Sequence, residues 1–212
     1  MTSDRRRFLQ STLFGTTAAM LTASAQALPA PPREADAWLD AIVHRKHRAF
    51  LDVGYFAPDG GPFRRVRALM ATLGERYGAT DKDIGLAFGA HSSGLGYLLT
   101  PAAWDDLGLV EFMAGTNLRT ADVQALRAGA KNWGTLGADA VGELRPRGVR
   151  FLACGQTISR WAERLASSRG GSAAQLAARI RAGFHDGVEP VPAMIAAAVV
   201  AQERGVGYVA IL

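Results

Sequence analysis

From residue 47 onward the chain alternates short apolar runs with longer stretches of helical periodicity, and this alternation restricts the fold more than any other feature. Runs at 47–53, 83–88, 149–153, 188–191 and 208–211 have the length and the β-branched or aromatic content of strands. Between the first two, Phe63, Val66, Met70, Leu73 and Tyr77 recur at helical spacing and stop near Gly78. Thr120 is placed to cap a helix containing Val123, Leu126 and Ala130, and residues 136–144 read as another, stopped by Pro146 and Gly148. A helix from about Ser159 carries Trp161 and Leu165 and is broken at Gly170-Gly171. Ser172 and Gln175 have capping-box spacing ahead of an apolar face of Leu176, Ile180 and Phe184. Pro192 opens a last helix through Glu203, closed by Gly205. Residues 104–115 carry no readable period. Strands that alternate with helices predict a mostly parallel sheet of about five strands, with helices on both faces. There is no internal repeat and no sign of a second domain.

The N-terminus stands apart from this pattern. Arg5-Arg6-Arg7-Phe8-Leu9 is followed by a weakly apolar segment, residues 11–21, and by the small-x-small triplet Ala25-Gln26-Ala27. That order resembles a twin-arginine export signal, and the apolar segment is too short to span a bilayer as a stable helix. Residues 1–27 are therefore expected to be a signal peptide, and residues 28–44 a Pro-rich linker and short surface helix. The destination is then periplasmic, with no stable membrane span after cleavage. Cleavage removes three of the 24 basic residues and one of the 19 acidic ones, leaving a formal charge of +3. A surplus that small argues against a nucleic-acid partner.

An oxidising destination makes the single cysteine, Cys154, notable, because no intrachain disulfide can form. Cys154 ends the apolar run Val149-Arg150-Phe151-Leu152-Ala153 and is followed at once by Gly155-Gln156-Thr157. In an α/β sheet that is the C-terminal edge of a strand, where ligands bind, next to a helix N-terminus that favours a thiolate. Gly155 would let a bound group approach the backbone, and Thr157 could donate to the sulfur. With no second cysteine to resolve a disulfide, dithiol redox chemistry is disfavoured. The other reading is a small buried hydrophobe with no chemistry.

The block from Gly148 through Cys154-Gly155-Gln156-Thr157, followed by Gly187-Val188-Glu189-Pro190-Val191-Pro192-Ala193 and Gln202-Glu203-Arg204-Gly205, resembles the DsrE/DsrF-like family. The segment from His47 to Asp52, the Gly89-Ala90-His91 loop and the Trp104 region resemble its exported members. The resemblance covers most of residues 45–212, the expected DsrE-like domain. It implies a flavodoxin-like three-layer sandwich, often a homo-oligomer, and some members carry sulfur on a cysteine that corresponds here to Cys154. The implied function is binding or relay of sulfane sulfur on that thiol, with a sulfur donor or acceptor protein or a small sulfur compound as partner. The alternative is a non-catalytic periplasmic binding or oligomeric assembly module with a structural cysteine. No cofactor and no metal is expected.

Other side chains weigh less. His91 lies after the second strand, on the same sheet edge as Cys154 if the two strands run parallel, and could orient a ligand or hold a proton there. Ser92 and Ser93 could offer hydroxyls to an anion, but their combination with His91 does not read as a nucleophile elbow. His44 and His47 lack the further ligands a metal needs. His185, beside Asp186, reads as surface. Arg64, Arg65 and Arg67 read as a solvated helix face.

Overall fold

A computed structural model describes residues 37–116, 118, 120–129 and 133–211. The expected signal peptide, the Pro-rich part of the linker, and Ala130 lie outside the described residues. The strands are β1 (His47–Val53), β2 (Ile84–Ala90), β3 (Val149–Cys154), β4 (Val188–Val191) and β5 (Gly207–Ile211). They form one all-parallel sheet in the order β4-β3-β2-β1-β5. Helices cover both faces, which makes the chain the three-layer α/β sandwich of flavodoxin-like type that the sequence predicts. The central strand β2 is a continuous run of apolar and small residues because both of its faces are buried; every residue of β2 is buried.

The strand order fixes which helices lie where. From β1 to β4 each crossover steps in one direction across the sheet. Right-handed crossovers then put the intervening helices on one face. That face carries α2 (Gly61–Tyr77), a 3₁₀ helix (Ser92–Leu98), α3 (Pro101–Asp106), α4 (Leu109–Ala114), α5 (Thr120–Ala128), α6 (Trp133–Leu144), α7 (Gly155–Arg169) and α8 (Ala173–Ala182). From β4 the chain returns past β1 to β5, so α9 (Met194–Glu203) falls on the opposite face, joined there by α1 (Ala37–Val43). The core divides accordingly. Phe56, Phe63, Phe88, Tyr97, Trp104 and Phe151 belong to the larger cluster. Trp38, Ile42, Phe50, Leu152, Cys154 and Met194 belong to the smaller one.

Several expectations from sequence are corrected. Helix α1 is not a surface helix: Trp38, Leu39 and Ile42 are buried, because with α9 they cover a sheet face that nothing else among the described residues reaches. The unreadable residues 104–115 hold α3 and α4, each six residues long and too short to display a period. Helix α7 begins at Gly155, directly after β3, and not near Ser159. Ser172 is the N-cap of α8, but its side chain makes no capping bond, and Phe184 lies past that helix's end. His185 is buried at 9 % exposure, with its Nε2 unpartnered. Burial lowers its pKa below the usual histidine value, with backbone hydrogen bonds opposing.

Candidate functional site

The C-terminal edge of the sheet brings together residues far apart in sequence. Adjacent strands β3 and β4 lead to helices on opposite faces, α7 and α9. This is the arrangement that opens a crevice at the strand ends in α/β sheets. Cys154 is the last residue of β3 and the N-cap of α7. It is 3 % exposed, and its side chain makes no capping bond to the α7 backbone. It borders a cavity of about 260 Å³ together with Asp52, His91, Thr157, Met194 and Tyr208.

Register explains why His91 shares this cavity. Strands β2 and β3 pair Ala90 with Ala153, so His91 and Cys154 stand one position further along neighbouring parallel strands. With strands about 4.8 Å apart and side chains alternating, the two occupy the same row on the α9 face. The third member of that row on β1 is Gly54, one past Val53, which pairs with Ala90. A Cβ on Gly54 would lie 2.8 Å from His91 Cε1 and 3.0 Å from its Nε2. The bare backbone at Gly54 is what lets the imidazole lean across β1.

There the imidazole meets a carboxylate. His91 Nε2 lies 3.0 Å from Asp52 Oδ1, and the Tyr208 hydroxyl donates to Asp52 Oδ2 at 2.6 Å. A carboxylate only accepts, so Nε2 carries the proton and Nδ1 of the neutral ring is left as an acceptor. The Ser92 Oγ is 3.0 Å from that Nδ1. The series Tyr208–Asp52–His91–Ser92 thus joins β5, β1 and the end of β2, with every proton accounted for. Asp52 and Tyr208 are functional candidates that the sequence reading missed. The one available signal was a carboxylate interrupting the apolar run of β1 near its C-terminal end.

The expected roles of Gly155 and Thr157 change. A Cβ at Gly155 would lie 2.9 Å from the carbonyl oxygens of both Val191 and Pro192, so the close approach is to the chain leaving β4 and not to a ligand. Thr157, 3 % exposed, accepts the Ser92 backbone N–H on Oγ1 at 3.1 Å. That bond fastens the end of β2 to the first turn of α7. Thr157 and Arg160 border the Cys154 cavity and also a larger one of about 620 Å³, which Gly54, Tyr55, Ser92, Ser93, Trp161 and Arg164 help to line. Among the described residues no group of three or more His, Cys, Asp or Glu side chains is arranged to hold a metal ion.

Asp52 holds the Tyr208 phenol up at about 12, first through the hydrogen bond, then through desolvation and charge. A raised phenol pKa means that the fold favours the neutral form. This contribution is complete below about pH 10, the ordinary tyrosine value, and is lost as pH rises through about 12. Asp52→Asn is expected to return Tyr208 toward about 10. An ultraviolet titration of tyrosinate that leaves the high-pH phase in place in Asp52→Asn would show that the bond is not made.

No family model matches the chain, and no curated protein matches it. A solved structure, that of a protein of unknown function from Methanobacterium thermoautotrophicum, is similar at 18 % identity and a TM-score of 0.44, over 78 % of this chain and 99 % of that one. Among the described residues no helix is long and apolar enough to cross a membrane.

Proposed function

We propose that this chain is an exported, periplasmic DsrE-like sulfur-handling protein that binds or relays sulfane sulfur on Cys154. The observation that carries the reading is the cavity shared by Cys154 and His91 at the carboxyl edge of the sheet. The sulfur heads a 15-residue helix whose N-terminal dipole favours an anion. At 3 % exposure it is reachable only through that cavity, which selects a small donor or the tip of a donor chain. In the step itself the Cys154 thiolate attacks the outer sulfur of a donor persulfide, R–S–SH. The S–S bond of the donor breaks, the donor leaves as its thiolate, and Cys154 carries the persulfide to an acceptor.

Ile195, Val199, Tyr208 and Val209 are exposed apolar side chains around the cavity mouth and along β5, the open edge of the sheet. They support a homo-oligomer that covers this edge. A second reading keeps the same fold as a non-catalytic binding or assembly module, and the 3 % exposure of Cys154 favours it.

Intact-mass measurement after incubation with glutathione persulfide separates the two. Sulfur relay predicts the gain of one sulfur atom per chain on the wild type and none on Cys154→Ser. It also predicts fast labelling of Cys154 by a small thiol reagent. No sulfur gain, with slow labelling, removes the relay and leaves the structural cysteine.

A further inference from the structure

Ser92 has an unusual backbone. Its φ is +48°, and among the described residues no other non-glycine residue has a positive φ. Such strain costs about 1–3 kcal/mol and persists where surrounding structure enforces it, most often at functional sites. Here the enforcement is visible. The Ser92 N–H is held by Thr157 Oγ1 at 3.1 Å, and the neighbouring His91 N–H by the Val53 carbonyl at 3.0 Å. Two residues on, Gly94 packs so closely that a Cβ there would lie 2.4 Å from the Val53 oxygen. Two residues before Ser92 is Ala90, fully buried. A strand that runs through a left-handed serine into a helix, with small residues two positions to either side, is the geometry of a nucleophile elbow. The residues alone do not read as an elbow, because the left-handed turn at Ser92 cannot be read from residue types.

The elbow is also supplied with a base. The Ser92 hydroxyl reaches His91 Nδ1 at 3.0 Å, His91 Nε2 reaches Asp52 at 3.0 Å, and Tyr208 holds the other carboxylate oxygen at 2.6 Å. Nucleophile, base and orienting carboxylate stand in the order that activates a serine. Ser92 is exposed and opens on the larger cavity of about 620 Å³. Arg160 and Arg164 line that cavity from one face of α7. Among the described residues Arg160 makes no ion pair; its Nε rests on the Gln156 carbonyl at 3.4 Å.

We infer that Ser92 is a second nucleophile of this protein, with His91 as its base, at an acyl-transfer site for esters that carry an anionic group. Ser92 Oγ attacks the ester carbonyl and its proton passes to His91 Nδ1. The ester C–O bond then breaks and the leaving alkoxide takes that proton. Water attacks the acyl-serine by the same route, releasing a carboxylic acid and restoring Ser92. Asp52 and Tyr208 are positioning residues that hold the imidazole with Nδ1 toward the serine. Arg160 provides the charge that retains an anionic substrate.

The test uses the purified full chain, a fluorophosphonate probe, and two chromogenic esters, p-nitrophenyl acetate and the anionic p-nitrophenyl hemisuccinate. One phosphonyl group per chain is expected on the peptide carrying Ser92, with fluoride released. Ser92→Gly accepts the left-handed backbone without strain, so it keeps the fold and loses the adduct. His91→Gln is expected to slow labelling by at least about 100-fold, the scale of a lost general base. Tyr208→Phe is expected to lower kcat for both esters with KM unchanged, because Asp52 without the phenol's hydrogen bond holds the His91 ring less firmly; a purely structural tyrosine would not separate the two. Arg160→Gln is expected to erase most of the preference for hemisuccinate over acetate. No adduct on Ser92, or labelling of His91→Gln at the wild-type rate, overturns the inference. The adduct and a Cys154 persulfide fall on different peptides, so each proposal stands or fails alone.

Discussion

Gly94→Ala is expected to lower the urea midpoint by about 1 M, from a loss of about 2–3 kcal/mol and a slope of about 2–3 kcal/mol/M for a domain of this size. The added Cβ would sit 2.4 Å from the Val53 oxygen and 3.3 Å from that of Tyr55. Neither can withdraw easily. The Val53 carbonyl already accepts the His91 N–H, and β1 is held between β2 and β5. Relief must come from sliding the end of β2 away from β1, which parts His91 from Asp52. Phosphonylation of Ser92 should therefore slow together with the fall in stability. Gly142→Ala is the matched control. Gly142 lies in α6 with nothing within 4 Å of an added Cβ, so alanine there should stabilise by about 0.5–1 kcal/mol. A wild-type midpoint in Gly94→Ala would mean that the strand ends yield more freely than this packing implies.

What sequence could and could not disclose follows from how local each determinant is. Strands buried on both faces need a nearly unbroken apolar run, and so β2, and β3 but for Arg150, stand out within a residue or two. Helix α2 buries Phe63, Val66 and Met70 at the spacing that foretells it, although Tyr77, counted on the same stripe, is 65 % exposed at the last residue of the helix. Helix α1 misleads because its burial depends on the final crossover, which leaves only α1 and α9 to cover the second face. The pairing of His91 with Cys154 is readable because it needs only that two successive strands run parallel. Asp52 and Tyr208 are not, since their contact spans 156 positions and depends on β5 returning beside β1. The left-handed turn at Ser92 is the least legible of all, for it is imposed by Thr157, Val53 and Gly94 together and by nothing in the residue itself.

The reversal of the final crossover also explains why two cavities meet at one edge. The Cys154 cavity opens under α9, and the Ser92 cavity under α7 and the 54–60 loop; His91 stands between them, facing the first with its ring and the second through its bond to Ser92. A change that tilts the imidazole therefore reaches both chemistries. A change in the wall of one cavity reaches only that one, except at Thr157 and Arg160, which line both. Gly54, whose missing side chain makes room for the ring, belongs to the first kind.

The wall formed by the 54–60 loop rests on one phenol, and Tyr97→Phe is expected to cost about 2–3 kcal/mol even though phenylalanine is the more apolar residue. The Tyr97 side chain is fully buried, between Phe56 with ring centroids 4.5 Å apart and Phe63 at 4.9 Å. Its hydroxyl donates to the Ala57 carbonyl and accepts the Ala57 N–H, both at 2.7 Å. Burial holds this phenol far above the usual tyrosine pKa, so it stays a neutral donor and acceptor throughout the working range. Phenylalanine keeps the ring contacts and deletes both bonds. The Ala57 carbonyl retains the Gly60 N–H at 3.0 Å, but the buried Ala57 N–H loses the side-chain partner that the structure gives it. Stranding one buried donor accounts for about 1–3 kcal/mol, and the weakened carbonyl adds to it. Equilibrium urea unfolding measures the loss, and amide exchange across residues 54–60 should quicken in step with it. Because Tyr55 and Phe56 border the Ser92 cavity, a loosened loop should also raise KM for the anionic ester while leaving the Cys154 reaction at its own rate. If Tyr97→Phe proves as stable as the wild type, water replaces the hydroxyl, and the loop is held by ring packing alone.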